Sequence, residues 1–298
     1  MGNFINPFTD WGFKRIFGQE TGREMLLSFL NELLKGEHVI TDLTFMDKEQ
    51  MGETKDQRCA IYDIYCQTNT GEHIIVEMQN SYQEFFADRT IYYACRSLAS
   101  QAQVGRWDYH LAPVYVVSFM NFFFKTEGAG RKLRTDVMLM DIESKEIFSR
   151  QFRLIYLMLP QFQKEADECE NNFERWIYTL KNMSNMERLP FDSAQDAIWQ
   201  RLAEIADVTT LTSKERAKYD ESLKVMRDNY AVQQGARHLG IEEGRKEGMK
   251  EGRKEGMKEG RKEGQRMLIL AMLNNGSSIG DIAMLTGMTE EEVKSLLN

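Results

Sequence analysis

An α/β fold is predicted by the way two hydrophobic periods alternate along the first half of the chain. Leu26, Leu27, Leu30, Leu33 and Leu34 fall at helical spacing within residues 23–35, with Gly36 at the position that ends a helix. Two β-rich runs follow within residues 59–78. A second helical run at about 82–103 precedes three more β-rich runs, at 111–120, 133–142 and 152–159. Helix, strands, helix, strands, all before residue 165, builds a sheet covered by helices.

The first two strands are separated by Asn69-Thr70-Gly71, a short glycine-containing turn that predicts a β-hairpin. The helix after it carries Phe85, Phe86, Arg89, Tyr92, Tyr93 and Arg96. Beyond residue 165 the pattern is helical through Trp176 and Trp199 to about residue 234. Residues 243–264 alternate EGRK and EGMK, with six glycines, six glutamates and eight basic residues. A four-residue repeat turns by ~400° on a helix, so no side stays apolar and no coiled-coil seam lasts. A solvated spacer or a marginal helix is expected. In the tail, Ser278 can cap one short helix, Gly287 ends it, and Thr289 with Glu292 makes a capping box for the next. Two readings stand for this tail, a helix-turn-helix or a small packing hairpin. The acidic start Thr289-Glu290-Glu291-Glu292 favours packing over DNA reading.

Composition narrows the function. Of 298 residues, 42% are hydrophobic and 28% charged, which excludes a wholly disordered chain. With 38 basic against 46 acidic residues the net charge is −8, so nucleic acid is not held by bulk charge. No apolar run approaches the ~18 residues of a membrane span, and no signal peptide is visible at the N-terminus. Cys59, Cys66, Cys95 and Cys169 have no CxxC spacing. They are expected to be reduced thiols in a cytoplasmic protein.

The chemistry centres on the hairpin. Pairing Thr68 with Glu72 and Cys66 with Ile74 sets Asp63 directly across from Glu77, on one face, with Gln79 two residues further along. Opposed carboxylates among Ile61, Ile64, Ile74, Ile75 and Val76 repel unless a cation joins them, and oxygen ligands at a sheet edge suit Mg²⁺ or Mn²⁺. The competing reading is a pair of edge-strand charges in solvent.

The pattern Asp63…Glu77-Met78-Gln79 resembles the D…(D/E)xK core of the PD-(D/E)xK nucleases, and within them the Rpn family of recombination-promoting nucleases, or PD-(D/E)xK family transposases. The opening Pro7-Phe8-Thr9-Asp10-Trp11-Gly12-Phe13-Lys14-Arg15-Ile16-Phe17-Gly18 is similar to that family's D-x-x-F-K-x-x-F-G start. Val76-Glu77-Met78-Gln79, the helix with Phe85, Arg89 and Tyr92–Tyr93, and the Gly-Glu-Lys/Arg repeat carry the likeness further.

The resemblance implies a restriction-endonuclease-like core, a four-stranded mixed sheet flanked by helices, over residues 1–165. A helical extension (166–235), a charged linker (236–265) and a helix-turn-helix-like tail (266–298) would complete the chain. It implies Mg²⁺- or Mn²⁺-dependent cleavage of DNA with little sequence preference, and a homodimer. Asp63, Glu77 and the main-chain carbonyl of Met78 would hold the metal, and Gln79 would stand where lysine is usual. Asp10 is expected as a helix cap or accessory residue. Lys14, Gln83 and Arg89 are equal candidates, from a neighbouring helix, to replace the missing lysine. Lys125, Arg131, Lys132 and Arg134 form a basic loop that could grip a phosphate backbone or simply face solvent. His73 is expected at the surface. The alternative function is a catalytically weak relative that binds DNA or a partner and assembles through its tail.

Overall fold

The computed structural model describes residues 2–37, 39–50, 60–102, 105–123, 132–191 and 196–297. The chain forms two compact units, Met1–Asp228 and Asn229–Asn298. In the first, α1 (Asp10–Phe17) and α2 (Arg23–Leu33) precede β1 (Leu43–Phe45), β2 (Glu49–Gln50), β3 (Ala60–Ile61), β4 (Ile64–Thr68) and β5 (His73–Gln79). Then come α3 (Phe86–Ala99), β6 (Val114–Met120), β7 (Arg134–Met140), β8 (Ile147–Met158), α4 (Asn172–Asn182) and α5 (Ala197–Ala206).

Six strands form one mixed sheet in the order β1-β4-β5-β6-β8-β7. β5, β6 and β8 run parallel, while β4 and β7 are antiparallel to their neighbours. Six strands replace the expected four. β1 adds an edge beside β4, and β7 turns back through Asp141 onto a β8 that begins five residues earlier than its apolar run. The Asp141 carboxylate accepts the Glu143 and Ser144 N–H groups in that turn, and its N–H donates to Glu146. A polar ladder thus extends an apolar strand.

Residues of β5 and β6 are buried on both faces, as parallel central strands require. One face packs on α1, α2, α4 and α5, around Phe13, Phe17, Phe29, Phe119, Trp176 and Trp199. The indole rings of Trp176 and Trp199 lie 4.8 Å apart. α3 covers the other face with Phe86, Thr90, Ala94 and Ser97. Gly12 in α1 is dictated by close approach, because a Cβ there would stand 2.2 Å from the Asn6 carbonyl oxygen.

α6 (Ser213–Asn274) is one continuous helix, so the Gly-Glu-Lys/Arg repeat, expected as a solvated spacer or a marginal helix, is fully helical. Its residues 243–264 are exposed on every side, and a Cβ on any of its glycines would meet open space. Glu-to-Lys pairs three apart favour this helix, and the glycines oppose it.

In the second unit, Ile269, Ile282 and Val293 form a small core between α6, α7 (Ile279–Thr286) and α8 (Glu290–Leu297). Ser278 and Asp281 close a capping box, Gly287 takes a φ of 72°, and Thr289 and Glu292 exchange capping bonds. No helix among the described residues is long and apolar enough to cross a membrane.

Candidate active site

The hairpin register places two carboxylates side by side. Ile64 pairs with Val76, Cys66 with Ile74 and Gln67 with His73. Gly71, at a φ of 98°, lets the three-residue loop close on the Thr68 N–H to Glu72 carbonyl bond at 2.9 Å. Extending the ladder one residue sets Asp63 opposite Glu77. There the backbone pairing gives way to side chains. The Asp63 N–H donates to Glu77 Oε1 at 3.1 Å, and the Met78 N–H donates to Asp63 Oδ2 at 2.9 Å. Each acid is thus fixed by a main-chain donor from the other's strand, which offsets part of the like-charge repulsion.

Electrostatics set this pair apart from an exposed edge. Glu77 is 4% exposed, and burial together with the Asp63 charge pushes its carboxyl up to about 8. Burial raises Asp63 as well, against the Met78 N–H bond and the charge of Lys14. Two acids in that state resist ionising together, and a cation placed between them would favour their charged forms. Among the described residues no third His, Cys, Asp or Glu joins them in a metal-binding group. Backbone direction supplies one more oxygen. The His73 N–H and Gln79 carbonyl bond toward β6 and the Glu72 carbonyl toward β4, so strand alternation turns the Met78 carbonyl toward the Asp63 side. Two carboxylates and a carbonyl are hard donors that fit Mg²⁺ or Mn²⁺ rather than Zn²⁺.

Arg89, from the second turn of α3, organises the other flank. It donates to Gln79 Oε1 at 2.8 Å and to Gln83 Oε1 at 2.7 Å, and lies 3.7 Å from Glu77 Oε2. Its guanidinium stacks over the Phe86 ring at 5.0 Å. Gln79 Nε2 donates to the Ser81 carbonyl at 3.0 Å. Both polar atoms of Gln79 are therefore engaged.

The family model described as PD-(D/E)XK nuclease family transposase matches residues 7–236. The chain belongs to this family. A nuclease family implies DNA as substrate, and PD-(D/E)XK nucleases generally use divalent metals. No curated protein matches the chain, and no solved structure does.

The remaining candidates of this family member divide by position. Lys14 reaches the carboxylates electrostatically from α1 and pairs with Asp10 at 2.5 Å. Asp10 is not the cap, because Thr9 accepts the Gly12 N–H and Asp10 occupies the first helical turn. Arg134 is committed elsewhere, to Asp136 at 2.7 Å and the Leu33 carbonyl at 2.6 Å. Lys132 is exposed, while Lys125 and Arg131 lie outside the described residues. His73 is buried rather than solvated, with Nδ1 2.5 Å from the Tyr65 hydroxyl, which also meets Ser97 at 3.0 Å.

Two residues carry no signal in the sequence. Lys48, half-buried just before β2, lies within electrostatic reach of Asp63, Asp10 and Lys14; burial, then Lys14, holds its ammonium below the ordinary lysine value. Ser118 pairs in register with Glu77 from β6, fully buried, and its Oγ has no hydrogen-bond partner among the described residues.

Proposed function

We propose that the chain is a divalent-metal-dependent DNA endonuclease, with Asp63, Glu77 and the Met78 carbonyl as its metal-binding oxygens. The observation that carries this reading is the pair of carboxylates, Glu77 buried and Asp63 half-buried, that accept main-chain bonds from each other's strands at the end of the β4–β5 hairpin. When bound, Mg²⁺ or Mn²⁺ would polarise a phosphoryl oxygen and lower the pKa of the attacking water. The residues around the pair bind and orient. Arg89 supplies the cation that lysine gives in the superfamily pattern, and Gln79 positions it rather than the water. Lys14 and Lys48 add positive charge on the α1 side for the scissile phosphate. Hydrolysis then adds water at phosphorus and breaks one P–O ester bond, leaving a phosphate end and a hydroxyl end. None of these groups reads base edges, which supports cutting with little sequence preference.

We place the enzyme in the cytoplasm, in keeping with Cys66, Cys95 and Cys169 as free thiols. We further propose a homodimer. Residues 236–265 would serve as spacer and 266–298 as the assembly unit, joined to a nuclease core of residues 1–165 and its extension, 166–235. A second reading, a weakly catalytic DNA-binding relative, is favoured by one observation: Gln79 is tied at both ends and offers nothing to water. Calorimetric titration of Mn²⁺ followed by plasmid cleavage separates the readings. Binding with cleavage supports the enzyme; binding without cleavage supports the weak relative; no binding near Asp63 and Glu77 contradicts the metal site.

A further inference from the structure

The carboxyl ends of β5 and β6 carry more than the acids. Asn121, just past β6, donates its N–H to the Gln79 carbonyl at 3.0 Å, and its side chain donates to Asn80 Oδ1 at 2.8 Å. These bonds tie the connection after β6 to the connection from Gln79 into α3. Aromatic rings stand on both. Tyr82 meets Phe122 edge-on at 5.8 Å, and Phe122 in turn meets the buried Phe86 at 6.2 Å. Tyr82 remains 48% exposed, Phe123 53% and Phe85 68%. Phe85 directly precedes α3, and its carbonyl accepts the Arg89 N–H at 3.0 Å. The exposed rings thus stand on the two connections that leave the carboxyl ends of β5 and β6, and the first of these leads into the helix that carries Arg89.

Exposed aromatic rings beside a cation and a carboxylate pair match the two parts of a nucleotide. Charge meets the phosphate, and a flat apolar ring meets a base. In an intact duplex the base faces are covered by their neighbours, so rings such as these have nothing to stack on. An unpaired base offers its face whatever its identity. The chain also has no bulk positive charge to draw DNA, which leaves stacking as a source of sequence-independent affinity.

Resting on the endonuclease reading above, we propose that Phe85 and Tyr82 form a base-stacking platform that selects DNA with unpaired bases next to the cut. Single strands and the single-stranded arms of flapped or branched duplexes are the substrate class. Specificity then lies in DNA structure instead of sequence.

The test measures fluorescence anisotropy of the full chain with Ca²⁺ present. Its probes are a labelled single strand, the blunt duplex of the same sequence, and the same strand with abasic positions. Cleavage of each is then followed in Mg²⁺. The wild type is expected to bind and cut the single strand at least about tenfold better than the duplex. Phe85→Ala should lose about 5- to 150-fold in single-strand affinity, corresponding to ~1–3 kcal/mol for one stacked base, and little on the duplex. Phe85→Trp should retain the preference, and the abasic strand should bind wild type and Phe85→Ala alike. Retained Mn²⁺ binding by Phe85→Ala would show that fold and acids are intact. Equal use of strand and duplex, or a Phe85→Ala loss shared by both, would overturn the platform while leaving the endonuclease standing. Absence of binding and cleavage on every DNA would instead contradict the endonuclease reading. Equal use of an RNA strand would overturn the assignment to DNA.

Discussion

Arg89 and Gln79 are joined side chain to side chain at 2.8 Å, with the arginine also 3.7 Å from the Glu77 carboxylate. The amide in the lysine position thereby acts as a bracket for a cation delivered from α3. Arg89→Met should lower DNA cleavage by about 10- to 100-fold, ~1.4–2.7 kcal/mol of barrier, with Mn²⁺ affinity little changed. Arg89→Lys should fall between, since it keeps charge and loses the fork that holds two amides. Gln79→Lys alone sets like charges together and should impair cleavage; adding Arg89→Met should restore part of it. Unchanged activity in Arg89→Met would remove the arginine from the chemistry.

Lys14 and Lys48 are expected to touch backbone phosphate. Replacing either by alanine should weaken binding similarly for all sequences and flatten the salt dependence by roughly one unit of slope per lost contact. Titrations of Lys14→Ala and Lys48→Ala from low to high salt read this directly. An unaltered slope would assign the lysine to holding Asp10 or Asp63 in the folded protein alone.

Much of this site was legible in the hairpin. Apolar Ile64, Ile74 and Val76 on one face favour the register in which Asp63 meets Glu77, though a bulge at Gly71 could have slipped it by one; the structure has the favoured pairing. The helix carrying Phe13 and Phe17 entered only through the family's opening motif and the expected cap at Asp10; the inward packing of both rings came from the fold. Lys48 was not legible, because its position depends on a loop brought beside Asp63 by the tertiary fold. The burial of His73 was hidden by its polarity. The cross-strand Tyr65, backed by Ser97 on α3, and the Gln67 amide on the other ring nitrogen make a buried imidazole tolerable. The continuity of α6 through the repeat was not legible, because glycine argues locally against helix while the charge pairs argue for it.

Away from the site, Arg153 joins Glu37 and Asp136, at 2.6 Å from the latter. The Arg153 hydrogen bond holds Glu37 below the usual carboxylate value. Burial alone would raise Asp136, but bonds from Arg134 and Arg153 outweigh it and lower the group. Acids depressed in the folded state contribute stability above their unfolded values, and that stability is lost as pH falls through the depressed ones. Arg153→Met should therefore melt below wild type at pH 7, with the gap closing below about pH 4. A gap independent of pH would mean that the arginine acts through packing on Tyr115 alone.

Sedimentation of the full chain against a 1–235 truncation tests assembly. Loss of a dimer in the truncation would support the tail as the assembly unit. A dimer that survives would put the interface in the first unit, and a monomeric full chain would contradict the homodimer.

The most direct measurement of the central claim is DNA cleavage by Asp63→Asn in Mg²⁺, on protein whose metal-free melting temperature is measured in parallel. Asparagine keeps an oxygen to accept the Met78 N–H and removes the charge. The metal-site account predicts cleavage at background and a melting temperature at or above that of wild type, since the repulsion with Glu77 is gone. Full cleavage by a folded Asp63→Asn protein would contradict it.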